Sequence, residues 1–155
     1  MGIIATRIQS LCDKLQPPPL TEPLVEMSGG HISQALLNQK IMSAEMERKH
    51  LDAKYWVCSR VDFEAIIRWD WTDKKKYVAE KYDCDNFAFS FKARMDRKFH
   101  LNNVGLVIDY SGKHAYNCVI FSDGTAELFE PQSDRFVTNK KGTGQYTCTR
   151  GLIIL

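Results

Sequence analysis

Large apolar residues recur at every fourth position after Cys84, which is the spacing of one face of an α-helix. The members of this face are Phe87, Phe91 and Met95. Asp83 precedes them, and a short acidic side chain at that place is typical of a helix N-cap. The pattern predicts a helix that begins at residue 83 or 84 and ends near residue 99.

Three other stretches have apolar residues at helical spacing. They cover residues 2–16, 32–50 and 61–68. Pro17-Pro18-Pro19 follows the first of them and favours a stiff, extended linker. We therefore predict an N-terminal helical extension with a proline-rich linker over residues 1–50, joined to a domain over residues 51–155.

After residue 100 the apolar residues alternate with a period of 2, which is typical of strands. Asp123-Gly124 stands between two such stretches and predicts a tight hairpin turn. The predicted strands cover residues 55–58, 104–110, 114–121, 126–130, 135–138, 145–148 and 152–155. Helices that come before a run of strands predict an α+β fold, in which the N-terminal helices and the cysteine-bearing helix pack on an antiparallel β-sheet.

The composition narrows the classes of function. With 155 residues, 44% of them hydrophobic, the chain can fill one core, and a net charge of +2 gives no reason to expect a nucleic-acid partner. Its cysteines number five, an odd count, and include no C-x-x-C pair, which argues against a zinc site of the ribbon or finger type. The length of the chain argues against a disulfide framework. No apolar run is long enough to span a membrane. We expect a cytoplasmic protein without a cofactor, although Gly2 and Thr6 match the short pattern for N-myristoylation.

Cys84, His114 and Glu130 come in the order of a thiol nucleophile, a base and an orienting carboxylate. Free N–H groups at the start of a helix lower the pKa of a cysteine thiol and can donate to an oxyanion. The predicted hairpin brings Glu130 to within a few residues of His114 across two neighbouring strands, where a carboxylate can fix the tautomer of the ring. The sequence therefore predicts a catalytic site of these three residues, without a metal.

Negative charge on both sides of Cys84 opposes this hypothesis. Asp83 and Asp85 flank the thiol, and nearby carboxylates raise the pKa of a cysteine. One of the two has to point away or serve as the helix cap, and Asp83 stands at the cap position. The cap removes part of the objection.

Two amides and two tryptophans are further candidates for the site. Asn117 and Gln132 could orient the histidine in place of the glutamate, because an amide oxygen also accepts from an imidazole N–H. Trp69 and Trp71 could form a platform on which a substrate stacks. The alternative is that these two rings wall the core beside the cysteine helix.

Three ordered blocks carry a resemblance to a known family. They are Cys84-Asp85-Asn86-Phe87-Ala88, His114-Ala115-Tyr116-Asn117 and Glu130-Pro131. Over residues 55–138 they resemble the transglutaminase-like branch of the papain-like cysteine hydrolases, and also small bacterial and phage proteins with D-C-D, H-A-x-N and E-P-Q signatures.

The resemblance implies a papain- or transglutaminase-like core with a catalytic residue in each block. Cys84 would be the nucleophile, His114 the base and acid, and Glu130 the orienting group, where the family usually has aspartate. Candidates for a second oxyanion donor are Trp56, Tyr82 and Gln132.

The predicted function is a cysteine hydrolase or acyltransferase that attacks an amide or isopeptide bond through a thioester on Cys84. Peptidase, deamidase and transglutaminase-like reactions share this machinery, so the expected substrate is a protein or peptide. The alternative is a catalytically inactive interaction module of the same fold, such as a phage or viral accessory protein that binds a host factor. The sequence carries no signal for the oligomeric state.

Overall fold

The computed structural model describes residues 16–41, 43, 45–140 and 144–155. Its helices are α1 (Gly29–Asn38), α2 (Arg60–Trp69) and α3 (Cys84–Phe99), and a 3-10 turn covers Thr72–Lys74. Its strands are β1 (Val25–Ser28), β2 (Met46–Lys49), β3 (Lys54–Val57), β4 (Val104–Asp109), β5 (His114–Ile120), β6 (Ala126–Glu130), β7 (Arg135–Val137) and β8 (Gly151–Ile154). Gly2, and the helix predicted over residues 2–16 apart from Gln16, lie outside the described residues.

Six strands form the central sheet, in the order β2-β8-β4-β5-β6-β7. Neighbouring strands are antiparallel except β2 and β8, which run parallel. β1 and β3 pair antiparallel in a separate two-stranded sheet. In the β5–β6 hairpin Asn117 lies opposite Phe129, so that Glu130 comes level with Tyr116.

The start of α3 lies where the sequence predicts it. Asp83 is the N-cap, and its backbone N–H donates to Oδ1 of Asn86 at 3.1 Å. His100 ends the helix in the left-handed region with φ of 55°. The prediction of this helix and of its cap is confirmed.

Strand alternation gives the central sheet two different faces. The face that we call the α3 face carries Val119 and Phe129 and packs against α2 and α3 in an aromatic core. In this core the Phe91 and Phe129 ring centroids are 4.7 Å apart. The opposite face, the α1 face, carries Tyr116 and Leu128 and packs against α1.

The predicted fold class, an α+β core with N-terminal helices on an antiparallel sheet, is wrong. The helix predicted over residues 32–50 ends at Asn38, and Lys40 follows with φ of 53°, which turns the chain. Met46–Lys49 then forms a strand that runs parallel to β8, so the sheet is mixed. Eight strands in two sheets, rather than N-terminal helices, organise the described residues. The division of the chain at residue 50 stays a prediction.

The strand predicted over residues 145–148 is a loop. The carboxylate of Asp109 accepts the backbone N–H groups of Thr147 at 2.9 Å and Cys148 at 2.8 Å. These donors are therefore not available to a neighbouring strand, and Cys148 has φ of 47°. The other predicted strands, and the helix predicted over residues 61–68, are confirmed to within one residue at each end.

Candidate functional site

Cys84 is the first residue of α3 and its side chain is half-buried. A hydrogen bond with Asp83 and burial both raise the pKa of the Asp85 carboxyl. The carboxyl group of Asp85 therefore interacts with that of Asp83 and ionises less readily than an isolated aspartate.

His114 and Glu130 form a buried pair on the α1 face. Nε2 of His114 lies 2.6 Å from Oε2 of Glu130, and the two residues are 9% and 4% exposed. The same oxygen accepts the hydroxyl of Tyr146 at 2.9 Å, and Oε1 accepts the backbone N–H of Gln132 at 3.0 Å. Burial would raise the pKa of the Glu130 carboxyl, but these hydrogen bonds outweigh burial and lower it. The carboxylate is therefore the acceptor, and Nε2 of His114 carries a proton.

The structure brings His114 and Glu130 together but does not join them to Cys84. The hydrogen bond of the His114 ring runs to Glu130, and within the described ranges none reaches Sγ of Cys84. His114 projects from the α1 face, as Tyr116 does, whereas α3 packs on the opposite face. Catalytic contacts are often long before a substrate binds, so the catalytic roles of these three residues stay a prediction.

Thiol labelling tests those roles directly. A Cys84 thiol that is activated by His114 should react with iodoacetamide at lower pH than Cys58, Cys118 and Cys148, and His114→Asn should remove that advantage. Burial raises the pKa of each of the three reference thiols, to between about 11 and about 12. A Cys84 rate that is unchanged in His114→Asn would contradict the assignment.

The other predicted site residues have contacts of their own. Asn117 donates to the backbone oxygens of Ala88 and Gly105, both at 3.1 Å, and so ties β5 to α3 and β4 instead of orienting His114. Tyr82 donates to Oγ of Ser90 at 3.1 Å. Gln132 contacts Glu130 through its backbone, and Trp56 is 43% exposed on the two-stranded sheet.

Sequence reasoning missed a buried carboxylate next to this pair. Asp109, 1% exposed, accepts the hydroxyl of Tyr116 at 3.0 Å and the backbone N–H of Gly112 at 2.8 Å, besides the two donors of the 147–148 loop. Burial would raise the pKa of Asp109, but these donors lower it. No pattern in the sequence of residues 145–148 indicates that a distant carboxylate accepts their backbone N–H groups. We call Asp109, His114, Tyr116, Glu130 and Tyr146 the polar network.

The two predicted platform tryptophans have different surroundings. Trp69 is fixed between the guanidinium of Arg94, 4.5 Å above its ring, and the ring of Phe99 at 5.4 Å, so it is a wall of the core. Trp71 is 52% exposed. Both line a cavity of about 660 Å³, which we call the Trp71 cleft. Its lining includes Pro18, Ala65, Arg68, Trp69, Trp71 and Lys74.

Positive charge lies at the rim of the Trp71 cleft. Lys74 pairs with Asp73, and Oδ1 of the buried Asp70 lies 2.9 Å from Nε of Arg94. Arg68 has no ion pair or hydrogen bond with any residue that the structure describes, and it is exposed. It is thus a guanidinium that is open to a ligand from solvent.

The described residues hold neither a metal cluster nor a helix that could span a membrane. No group of three or more histidine, cysteine, aspartate or glutamate side chains in the described ranges is arranged to hold a metal ion. No helix in this part of the chain has the length and apolar character needed to cross a bilayer.

Two solved structures have a similar fold. One, a PSL1a–E64 complex, has a TM-score of 0.64 and 20% identity, covering 84% of this chain and 51% of that chain. The other is Polyporus squamosus lectin bound to the human-type influenza-binding epitope Neu5Acα2-6Galβ1-4GlcNAc, with a TM-score of 0.63 and 23% identity, covering 82% and 49%. The chain therefore spans about half the length of each. At these identities the likeness establishes the fold alone.

The sequence itself assigns the family. The model of the ricin-type β-trefoil lectin C-terminal domain matches residues 28–155, and the chain belongs to this family. A comparison with curated proteins gives no match.

Family membership corrects the earlier resemblance. The assignment to the transglutaminase-like and papain-like hydrolases, and the likeness to small bacterial and phage proteins, are wrong. The predicted hydrolase or acyltransferase function, and its inactive-module alternative, are overturned with them. The three blocks are short and describe a capped helix, the start of a strand and the end of a strand, which many folds contain. The sequence predicted a protein or peptide substrate, whereas the Polyporus lectin is bound to a glycan.

Proposed function

We propose that this domain binds carbohydrate, and that the Trp71 cleft holds a glycan whose terminal sugar carries a carboxylate. The observation that carries the proposal is the exposed indole of Trp71 beside the guanidinium of Arg68, which has no partner among the residues that the structure describes. The two groups offer an apolar platform and a cation at one opening.

The aromatic part of the cleft suits a sugar ring. A pyranose has one face of C–H groups that packs on an indole, and an exposed tryptophan loses its contact with water when that face covers it. Trp69 supplies a second, immobile wall because Arg94 and Phe99 hold its ring. A volume of about 660 Å³ falls within the usual range of ligand pockets.

The charge of the cleft favours an acidic sugar over a neutral one. A guanidinium can donate two parallel hydrogen bonds to a carboxylate, and Arg68 has both donors available. Lys74 adds positive charge at the rim, although Asp73 neutralises part of it. A neutral sugar would leave Arg68 without a partner.

The family supports carbohydrate as the ligand class. The family is named for lectins, and the Polyporus lectin binds a trisaccharide that ends in the acidic sugar Neu5Ac. The chain covers about half of that protein, so the ligand is transferred here as a proposal that rests on the cleft itself.

Calorimetric titration of the chain with Neu5Acα2-6Galβ1-4GlcNAc tests the proposal. Trp71→Ala and Arg68→Gln should each weaken binding at least about tenfold, which corresponds to roughly 1.4 kcal/mol. Removal of the terminal acidic sugar from the ligand should abolish the difference between the wild type and Arg68→Gln.

The matched controls are Tyr110→Ala, another exposed aromatic residue, and Arg97→Gln, another exposed arginine. Both controls should bind as the wild type does. Absence of binding by the wild-type chain, or equal losses in the control variants, would contradict the proposal.

A further inference from the structure

The segment that precedes β1 forms part of the Trp71 cleft. We call residues 16–24 the strap; they form neither helix nor strand before β1 begins. Pro17-Pro18-Pro19 stiffens the first half of the strap, because each proline ring fixes φ. Gln16 and Pro18 line the Trp71 cleft together with residues of α2. The strap is therefore one wall of this cleft.

A single side chain makes the hydrogen bonds that hold the strap. Oδ1 of Asp62 on α2 accepts the backbone N–H of Thr21 at 2.8 Å and the Thr21 hydroxyl at 2.7 Å, and Oδ2 accepts the backbone N–H of Glu22 at 3.1 Å. No hydrogen bond between backbone groups joins the strap to the rest of the described chain. The attachment of its backbone therefore depends on one carboxylate.

The Asp62 carboxylate is buried and charged. Asp62 is 2% exposed. Burial would raise its pKa, but the donors of Thr21 and Glu22 outweigh burial and lower it. The three bonds to the strap are thus charge-assisted, which makes them stronger than bonds between neutral groups.

The apolar contacts of the strap are few. Leu20 and Leu24 are partly buried and pack against the core on the α3 face. The neighbouring helix α2 is held more firmly, since its Phe63 and Ile66 are fully buried. A segment with few buried apolar groups and without backbone hydrogen bonds opens at a lower free energy than the core does. We therefore expect the strap to leave α2 without unfolding it.

The prolines connect this attachment to the cleft. Pro18 precedes Thr21 by three residues, a reach of about 10 Å in an extended chain. A proline-rich segment of this length is stiff, so a displacement of Thr21 also displaces Pro18. On α2, Asp62 lies about two turns before Trp69, which lines the same cleft.

We infer that the strap is a movable wall of the Trp71 cleft, and that Asp62 holds this wall in its closed position. When the bonds to Asp62 break, the strap moves away from α2 as a unit, and the cleft opens on that side. The inference concerns the chain without a ligand. Control of ligand access by the strap rests, in addition, on the function proposed for the cleft.

Hydrogen exchange of backbone amides, followed by NMR on the full chain without any ligand, tests the attachment. In the wild type, the amides of Thr21 and Glu22 should exchange at least about tenfold more slowly than unbonded amides. They should also exchange at least about tenfold faster than the amide of Ile67 in the middle of α2.

Asp62→Asn keeps the size of the side chain and removes its charge. It should speed exchange at Thr21 and Glu22 at least about tenfold, while the rate at Ile67 changes less than about threefold. The indole N–H signal of Trp71 should shift in this variant, because the wall formed by Pro18 has moved.

Thr21→Val is a milder variant that removes only the hydroxyl donor, and it should speed exchange at Glu22 at least about threefold. It decides the question alone when Asp62→Asn does not fold. The matched control is Thr125→Val, because the Thr125 hydroxyl also donates to an aspartate, Asp123, at 2.6 Å in the hairpin turn. This control should leave exchange in the strap unchanged.

Three results would overturn the inference. Exchange at Thr21 as slow as at Ile67 would mean that the strap opens only when the domain unfolds. Unchanged strap rates in Asp62→Asn would remove the role of the carboxylate, and an unmoved Trp71 signal would remove the movable wall. Since no ligand enters these measurements, a failed glycan titration would overturn the function proposed for the cleft and leave this inference standing.

Discussion

The polar network and the Trp71 cleft use polar groups in opposite ways. In the network, Asp109 and Glu130 are almost fully buried, and both carboxylates accept hydrogen bonds from other groups of the protein. In the cleft, the guanidinium of Arg68 is exposed and has no ion pair or hydrogen bond with any residue that the structure describes. A buried polar group whose bonds are complete stabilises the fold, whereas an exposed group that lacks a partner is available to a ligand. Among the described residues, the two regions therefore differ in whether hydrogen-bonding capacity is left over for a ligand.

The largest effect should follow the loss of Asp109. Asp109→Ala leaves the backbone N–H groups of Thr147 and Cys148 buried without their acceptor and removes one of the two partners of the Tyr116 hydroxyl. We expect the free energy of unfolding to fall by at least about 3 kcal/mol, as measured by urea denaturation. The control Asp123→Ala, in an exposed hairpin turn, should cost less than about 1 kcal/mol. Equal midpoints for the two variants would contradict the structural role of the network.

A smaller effect is expected at Glu130. Glu130→Gln keeps the shape of the side chain but weakens the charge-assisted bond with His114, and should lower the free energy of unfolding by roughly 1–2 kcal/mol. Glu127→Gln is the matched control on the same strand, since Glu127 pairs with Arg60 near the surface. Its cost should stay below about 1 kcal/mol.

The carboxylates of Glu130 and Asp109 should make the free energy of unfolding depend on pH in the acid range. Folding lowers the pKa values of Glu130 and Asp109, so their contribution is complete above the ordinary values near about 4 and is lost as the pH falls through the folded values. Glu130→Gln should therefore lose less stability than the wild type when urea titrations are compared at pH 5 and pH 3. A larger loss of stability in Glu130→Gln than in the wild type would contradict the lowered pKa of Glu130.

The smallest effect, and the only gain, is expected at Asp134. Burial, then Asp73 and Asp70, raises the pKa of the Asp134 carboxyl to about 7. Folding therefore opposes its ionisation, and the resulting cost is complete above pH 7 and absent below about pH 4. Asp134→Asn removes the charge and keeps a residue that tolerates the observed φ of 52°.

The Asp134 side chain is partly exposed, so solvent screening limits the gain to about 1 kcal/mol. Unfolding measured at pH 8 should show Asp134→Asn to be the more stable protein, and unfolding at pH 4 should show almost no difference. An Asp134→Asn variant that is less stable than the wild type at pH 8 would contradict this prediction, because it would mean that the ionised Asp134 stabilises the fold.

Local patterns predicted local structure well. The apolar face of α3, the cap at Asp83 and the Asp123-Gly124 turn each depend on neighbouring residues, and the structure confirms all three. The register of the hairpin also brought Glu130 to His114. Long-range pairing was not predictable, because the parallel contact of Met46–Lys49 with β8 joins segments about 100 residues apart.

The candidate site was the weaker part of the sequence reasoning. Cys84, His114 and Glu130 drew attention because their chemistry is familiar, and three short blocks then suggested a wrong family. The sequence marks Trp69 and Trp71 as a pair, but only the structure separates the packed ring of Trp69 from the exposed ring of Trp71. Arg68 was missed because nothing in a sequence marks an arginine that lacks a partner.

The three tryptophan indoles of the chain give three separate N–H signals, and these test the central claim most directly. The measurement is one NMR titration of the wild-type chain with Neu5Acα2-6Galβ1-4GlcNAc. The account predicts a saturable shift that is largest at the Trp71 indole, smaller at Trp69 and smallest at Trp56. A titration in which Trp71 does not move, or in which Trp56 moves most, would contradict it.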